Sequence, residues 1–208
     1  NMGFRYFENP RNDVLDFLSL ISNKDIKYNK VLDLGCASGV FGINLKNKFC
    51  LKDFNWIGIE QRRDLPNAKI NYSSLGICIH KELPNCLYDL KNNYFDCIFA
   101  LDVLEHLENP GEVITILRDK IKFDGKLIIS IPNISHYSII FSLIKQKWNY
   151  QEHGILDKTH LRFYTPSSFQ TFLYKNGWIV EKIEPINSYE GIKGYIFEII
   201  KRLFPKFL

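Results

Sequence analysis

The stretch Val31-Leu-Asp-Leu-Gly-Cys-Ala-Ser-Gly-Val-Phe-Gly42 decides how the rest of the chain is read. An apolar strand runs into an acid, Asp33. Small residues then turn the chain, and a helix begins near Val40. Such a turn brings bare backbone and a helix N-terminus up to a ligand, because residues without bulk let the main chain approach closely. Gly35, Cys36, Ala37 and Gly39 are the positions that line it. Alanine at 37 suits many backbone geometries but not those with positive φ. No Lys-Ser/Thr pair follows the glycines, so the run is not a triphosphate loop and suits a nucleoside with little or no phosphate.

The next strand outward, Asn55-Trp-Ile-Gly-Ile-Glu60, also ends in an acid. Two acids closing neighbouring strands lie on one edge of a sheet. An acid at the second position can accept both ribose hydroxyls, as a strand-helix-strand nucleoside site requires. Gly76–His80, Tyr94–Ala100, Lys126–Ile131 and Trp178–Ile183 read as further strands, with residues 61–75 polar and turn-rich. Helices are expected at 13–22, from Val40, from Asn109-Pro110 to about Lys122 before an Asp124-Gly125 turn, and from Thr165-Pro166 to Gly177. The alternation predicts an α/β fold, a doubly wound, mostly parallel sheet between two helical layers. Residues 133–160 break the rhythm with a short helix (134–147). They form a substrate-side insertion, since ligands bind at the carboxyl ends of the strands.

At this point the chain resembles the class I S-adenosylmethionine-dependent methyltransferases, whose first motif reads strand-Asp-x-Gly-Cys-x-x-Gly. A nicotinamide fingerprint would instead want Gly-x-Gly-x-x-Gly without the leading acid. Phe95-Asp-Cys-Ile-Phe-Ala-Leu-Asp-Val-Leu-Glu-His-Leu-Glu-Asn-Pro110 is similar to the family's fourth motif. The resemblance implies a seven-stranded sheet and S-adenosylmethionine as cofactor. It implies cofactor contacts from Asp33, Gly35, Cys36, Ala37, Gly39 and Glu60, with Leu101 and Asp102 at the methionine end. The acid that often meets adenine has no counterpart in Gly76–Glu82.

Asp102, Glu105 and His106 share one face of a helical turn. With His160 they are similar to the metal-binding acid-x-x-Glu-His set of methyltransferases that make ubiquinone or act on the 2′-hydroxyl at small-RNA 3′ ends. Magnesium or manganese is the implied ion. The metal-free reading, in which Glu105 and His106 fix the loop and the cofactor, is preferred. The segment 153–166, His-Gly-Ile-Leu-Asp-Lys-Thr-His-Leu-Arg-Phe-Tyr-Thr-Pro, together with Pro132-Asn133, His136 and Trp148-Asn-Tyr150, resembles bacterial methyltransferases found with surface-polysaccharide genes. An oxygen nucleophile needs a base near pH 7, and His153, His160 and His136 are the candidates, with Asp157 to orient an imidazole. The bland counterpart is that His160 and Arg162 merely tie this segment to the sheet.

The 208 residues are 46% apolar and 14% aromatic, which suits one globular domain across 1–208. The net charge of +4 sits mostly in residues 191–208, leaving a near-neutral body that argues against a nucleic-acid partner. Cys36, Cys50, Cys78, Cys86 and Cys97 form no Cys-x-x-Cys pair, which reads as a reduced, cytoplasmic protein. The tail spaces Ile192, Tyr195, Ile196, Ile199, Ile200 and Leu203 as one helical stripe. It predicts an amphipathic helix at 190–204, packed on its own domain or a second subunit (a homodimer), or laid on a membrane or lipid-linked glycan. Together these predict O-methylation of a sugar hydroxyl in a nucleotide- or lipid-linked glycan. Two rivals stand beside it: metal-assisted methylation of a phenolic quinone precursor or RNA 2′-hydroxyl, and a non-catalytic subunit with the same fold.

Overall fold

Alternate residues of the central strands sort the core into two layers. Leu32 and Leu34 of β1 (Lys30–Leu34), Ile98 and Ala100 of β4 (Phe95–Leu101), and Leu127 and Ile129 of β5 (Ile121–Pro132) pack on one face. Val31, Cys97, Phe99 and Ile128 pack on the other. These strands are apolar on both faces, as strands covered on both sides must be. Each fully buried aliphatic or aromatic side chain contributes about 1.5–3 kcal/mol.

The structure is a computed structural model and describes residues 10–21, 28–188 and 191–201. With β2 (Asn55–Ile59), β3 (Gly76–Ile79), β6 (Trp178–Ser188) and β7 (Gly191–Lys201) the strands form one seven-stranded sheet, ordered β3-β2-β1-β4-β5-β7-β6. All neighbours are parallel except β7, which runs antiparallel to β5 and to β6. One face carries Val14, Leu15, Phe17 and Leu18 of α1 (Asn12–Ile21), Phe41 and Leu45 of α2 (Val40–Lys48), and Leu75 of α3 (Ala68–Leu75). The other carries Leu87 of α4 (Asn85–Tyr88), Val113, Ile114 and Leu117 of α5 (Pro110–Lys120), and, beyond α6 (Tyr137–Ile144), Phe169 and Leu173 of α7 (Pro166–Lys175). The doubly wound α/β/α sandwich is therefore as the sequence predicts.

Helix starts follow the local chemistry. Asn109 Oδ1 accepts from the Glu112 amide at 3.4 Å, with Pro110 opening α5. Thr165 and Ser168 form a reciprocal capping box at α7.

Two expectations fail. The polar stretch 61–75 holds a helix, α3, held by Ala68 and Leu75 against the core despite its polar sequence. The tail, as far as it is described, is not a helix: 191–201 is strand β7, inserted between β5 and β6. Its spacing of apolar residues fits a helical stripe, but Ile196, Phe197, Glu198 and Ile199 are consecutive and all buried. Burial on both sides at successive residues is a strand property. Glu198 is answered across the sheet by Lys126 Nζ at 3.3 Å. The proposed membrane or glycan contact through 190–204 thus loses its helix. Residues 189–190 and 202–208 lie outside the described residues.

Candidate active site

The carboxyl ends of β1, β2 and β4 meet along one edge, and the loop after β1 is bonded to its neighbours there. The Cys36 amide donates to the Ile59 carbonyl at 3.1 Å, and the Gly39 amide to the Cys36 carbonyl at 2.9 Å. The Ala37 amide donates to Glu60 Oε2 at 3.1 Å, so the two strand-end elements are tied by the acid itself. From the far side, α3 grips the loop. Asn71 Nδ2 donates to the Ser38 carbonyl at 2.8 Å, and the Tyr72 hydroxyl donates to the Ala37 carbonyl. Asn71 and Tyr72 sit in the stretch read as turns, and nothing in their spacing signalled this role.

Gly35 has φ 62°, and a Cβ there would stand 2.7 Å from Val103 Cγ2, so only glycine fits. Ala37 departs from expectation: its φ is 47°, the left-handed region. The bonds at its amide and carbonyl hold it there at a cost of about 1–3 kcal/mol. Asp102 (φ 54°) and Arg11 (φ 53°) are strained in the same way along this edge.

Asp33 is almost wholly buried, and its Oδ2 has no hydrogen-bond partner. Burial pushes its carboxyl up to about 7. The nearby Trp56 indole and Arg11 offset this in part, while Glu60 reinforces it. The Trp56 indole N–H lies outside hydrogen-bond geometry, so its influence is through space. Glu60 is buried and accepts Arg62 Nε at 3.0 Å and the Arg62 amide at 2.9 Å. Leu101 closes β4, and Asp102 follows it. Asp102 takes Arg11 Nη1 at 3.0 Å and the Ser130 hydroxyl at 2.7 Å. Arg11 also donates to Ser130 Oγ at 3.1 Å. Neither Arg11 nor Arg62 was found from sequence; each sits outside the motifs and reaches the site by its long side chain.

Cys36 Sγ lies 3.9 Å from Cys78 Sγ, with all five cysteines free thiols. Burial pushes the Cys36 thiol up, whereas the hydrogen bond shared with Cys36 draws Cys78 down. After β3, His80 Nδ1 lies 2.9 Å from the Glu60 carbonyl.

Beyond Asp102 the short 3₁₀ turn Leu104–His106 meets the insertion. Ligating atoms of Glu105, His106 and His160 lie within 4.8 Å of one another, and the two imidazole centroids are 4.7 Å apart. Asp102 is not part of this group, because Arg11 and Ser130 hold its carboxylate, so the four-residue set proposed from sequence loses one member. Both oxygens of Glu105 are buried and without a hydrogen-bond partner. Burial first, and Asp102 second, push its carboxyl well above the usual range. The Leu161 and Arg162 amides donate to the Glu105 carbonyl at 2.8 and 3.0 Å, which pins the insertion to this turn. Arg162 therefore does the tying, as does its guanidinium on the Glu108 carbonyl.

The tautomers follow from the partners. His160 Nδ1 lies 3.0 Å from the Ile155 carbonyl and must donate to it, leaving Nε2 with its lone pair. The Thr159 hydroxyl donates to Asp157 Oδ1 at 2.7 Å, so at the 3.1 Å contact His106 Nδ1 is again the donor. Burial, then His160, draws His106 below its ordinary value. Burial raises Asp157, but the Thr159 hydroxyl and amide outweigh it and hold the carboxyl low. The other two candidate bases are placed differently. His136 caps α6, accepting the Ser138 amide at 3.3 Å and meeting its hydroxyl at 2.7 Å. His153 is exposed on the turn before Ile155, outside the Glu105 group.

Comparison with known proteins decides the family. A family model described as a methyltransferase domain matches residues 6–183. The chain belongs to that family. It is a methyltransferase of the class I fold, with S-adenosylmethionine as its methyl donor. It is 26% identical over 177 residues to a ubiquinone biosynthesis O-methyltransferase of Rickettsia bellii, covering 84% of this chain and 68% of that one. It is 24% identical over 179 residues to the protein of that name from Pelagibacter ubique, with 85% and 72% covered. Among solved structures, a SAM-dependent methyltransferase from Archaeoglobus fulgidus superposes with TM-score 0.68 at 21% identity, over 96% of this chain and 98% of that one. The magnesium protoporphyrin IX methyltransferase of Synechocystis, which has SAH bound, gives 0.65 at 16% identity, over 96% and 83%. Among the described residues of this methyltransferase, no helix is long and apolar enough to cross a membrane.

Proposed function

We propose that this methyltransferase acts on a hydroxyl of a small aromatic acceptor, a phenol of the quinone-precursor kind. The observation that carries the reading is the Glu105–His106–His160 group set directly beyond the cofactor edge at Asp102. The names of the relatives from Rickettsia bellii and Pelagibacter ubique support it.

The cofactor edge has a task for each residue. Glu60 accepts the two ribose hydroxyls, and the Gly35–Gly39 turn, whose Cys36, Ala37 and Gly39 amides are bonded within the edge, sets its small residues against the nucleoside. The unpartnered Oδ2 of Asp33 accepts a donor from the bound cofactor. Arg11, held among Asp13, Asp102 and Ser130, stands at the methionine end of this edge. The reaction is a direct displacement. The acceptor oxygen forms a bond to the methyl carbon, the carbon–sulfur bond breaks, and S-adenosylhomocysteine leaves. The acceptor proton passes to Nε2 of His160, whose Nδ1–H is fixed on the Ile155 carbonyl. The remaining work of the protein is alignment.

The strength of the base favours a phenol over a sugar. A phenolic hydroxyl ionises at about 10, whereas an aliphatic hydroxyl holds its proton far more tightly. Histidine as a residue type is far better matched to the first as a general base. The sugar-hydroxyl reading rests on the 133–163 resemblance alone.

A second reading is favoured by one observation, the two buried, partnerless oxygens of Glu105. Glu105, His106 and His160 are a fitting two-histidine, one-carboxylate set for a divalent cation. Such an ion would supply Lewis-acid stabilisation of the acceptor oxyanion.

The test is transfer of labelled methyl from S-adenosylmethionine to a catechol and to a nucleotide sugar, with EDTA and with manganese or magnesium restored. Methylation of the catechol alone supports the phenol reading, and methylation of the sugar alone overturns it. EDTA sensitivity selects the metal-assisted form. Cofactor binding without transfer to any acceptor points to the non-catalytic subunit.

A further inference from the structure

Two thiols meet beside the glycine turn. Cys36 belongs to that turn, and Cys78 lies in β3, the edge strand of the sheet. Their sulfurs are 3.9 Å apart although the residues are 42 positions apart in the chain. Gly58 makes the meeting possible. It pairs with Cys78 in the β2–β3 register, and a Cβ on it would stand 2.6 Å from Cys36 Sγ. Adjacent strands lie about 4.8 Å apart, so the bare glycine lets the Cys36 sulfur rest over β2 within reach of the next strand's side chain.

The two thiols are unlike. Cys36 is 5% exposed, whereas Cys78 is half-buried and follows the exposed Gly76 and Ile77. The hydrogen bond shared with Cys36 draws the Cys78 thiol below its ordinary value, with Tyr72 helping, over the opposition of burial, Glu60 and Asp33. Burial pushes Cys36 the other way. A reachable thiol that ionises the more readily, backed by a buried partner, is the arrangement of an attacking and a resolving cysteine. The remaining three are placed differently. Cys86 and Cys97 are buried, and the exposed Cys50 has its Sγ on the Asn47 carbonyl at 3.7 Å.

We propose that Cys36 and Cys78 form a modification site, a disulfide closed by a peroxide and reopened by a dithiol, whose closure weakens cofactor binding. The Cys78 thiolate attacks one oxygen of hydrogen peroxide. An S–O bond forms, the O–O bond breaks, and the departing hydroxide leaves as water with the proton the thiol gave up. The sulfur is oxidised to a sulfenic acid and the peroxide is reduced. The Cys36 sulfur then bonds to the Cys78 sulfur, the S–O bond breaks, and the released hydroxide takes the Cys36 proton as a second water. A dithiol reverses the change and is itself oxidised to a disulfide. Closure draws the sulfurs together by roughly 2 Å. Cys36 does not move alone, because its amide is bonded to the Ile59 carbonyl at 3.1 Å and its carbonyl to the Gly39 amide at 2.9 Å. The turn is carried with it. The effect on binding rests on the assignment of this edge to the cofactor; the disulfide does not.

The full chain, reduced, exposed to a small excess of hydrogen peroxide and then alkylated, tests it by peptide mass spectrometry and by calorimetry with S-adenosylhomocysteine. The expected results are a linked Cys36–Cys78 peptide and binding weaker by at least about tenfold, with dithiothreitol restoring both thiols and the affinity. Cys78→Ser should bind as reduced wild type does and ignore the peroxide. Cys36→Ser should keep a sulfenic acid on Cys78 that dimedone labels, which identifies the attacking thiol. Cys50→Ser should respond as wild type does. Absence of the linked peptide overturns the proposal, as does a Cys36–Cys78 disulfide that leaves the affinity unchanged. Reduced wild type that forms the linked peptide but binds no S-adenosylhomocysteine upholds the disulfide and defeats the cofactor assignment, so the two readings fall separately.

Discussion

Arg62 forks onto Glu60, with Nε 3.0 Å from Oε1 and Nη2 3.3 Å from Oε2. On the proposed role of Glu60, both carboxylate oxygens are the ones the ribose hydroxyls would use. The backbone amides of Ala37 and Arg62 already hold one lone pair on each oxygen and orient the group. The guanidinium, on a side chain that is half exposed, therefore occupies the positions that the proposed ribose contacts would need. Arg62→Ala should bind S-adenosylhomocysteine several-fold more tightly than wild type, and Arg62→Lys should fall between them. Thermal-shift titration reads this. Weaker binding in Arg62→Ala would make Arg62 a cofactor ligand rather than a competitor.

The pH dependence of stability should carry the signature of Asp33. Its folded pKa is raised from 3.8 to about 7, so between those values the folded protein holds a proton that the unfolded chain has lost. Stability of the cofactor-free protein therefore falls as pH rises from about 4 to about 7 and is flat in this respect above. A shift of that size corresponds to about 4 kcal/mol at most. Asp33→Asn, which cannot ionise, should gain in Tm relative to wild type across the same window. Glu105 acts with the same sign, so the difference between the two proteins, not the wild-type curve alone, isolates Asp33. An Asn variant whose Tm advantage does not grow with pH would remove the buried-carboxyl account.

Glycine 58 shows how tightly the edge is packed beneath the loop. A Cβ there would fall 2.1 Å from Trp56 Cη2 and 2.6 Å from Cys36 Sγ. Gly58→Ala should cost about 1–3 kcal/mol in urea unfolding. Ala37→Gly, by contrast, relieves a left-handed alanine and should leave stability within about 1 kcal/mol of wild type or above it. A loss of several kcal/mol in Ala37→Gly would contradict the strain argued for this loop.

Much of this site was legible in the sequence because its chemistry is local. The glycine turn, the two strand-end acids and the Glu105–His106 turn are contiguous motifs whose residue types admit few backbone paths. The missed parts depend on tertiary context. Arg11 and Arg62 act through long side chains that no spacing reveals, and α3 is held by burial of its ends rather than by propensity. In the tail, apolar residues at 195, 196, 199 and 200 fit a helical stripe and a doubly buried strand equally well. The vacant slot between β5 and β6 settled the matter in favour of the strand. Among the histidines, sequence ranked three alike. The fold separates them, with His160 beside Glu105, His136 spent on a helix cap and His153 out in solvent.

The histidine assignment has its own consequence. His160→Ala should lower kcat at least about 100-fold with little change in the affinity for S-adenosylhomocysteine, whereas His153→Ala should leave both near wild type. Rapid-quench methyl transfer with a catechol acceptor measures the first and calorimetry the second. Full activity in His160→Ala would move the base elsewhere.

The β1–β2 edge is assigned the binding of S-adenosylmethionine through Asp33, the Gly35–Gly39 loop and Glu60. Calorimetric titration with S-adenosylhomocysteine tests it most directly, run on wild type and on Glu60→Ala. One site of micromolar affinity is expected in wild type, with a loss of at least tenfold in the variant. No heat of binding in wild type at high micromolar ligand, or equal affinity in the two proteins, would contradict it.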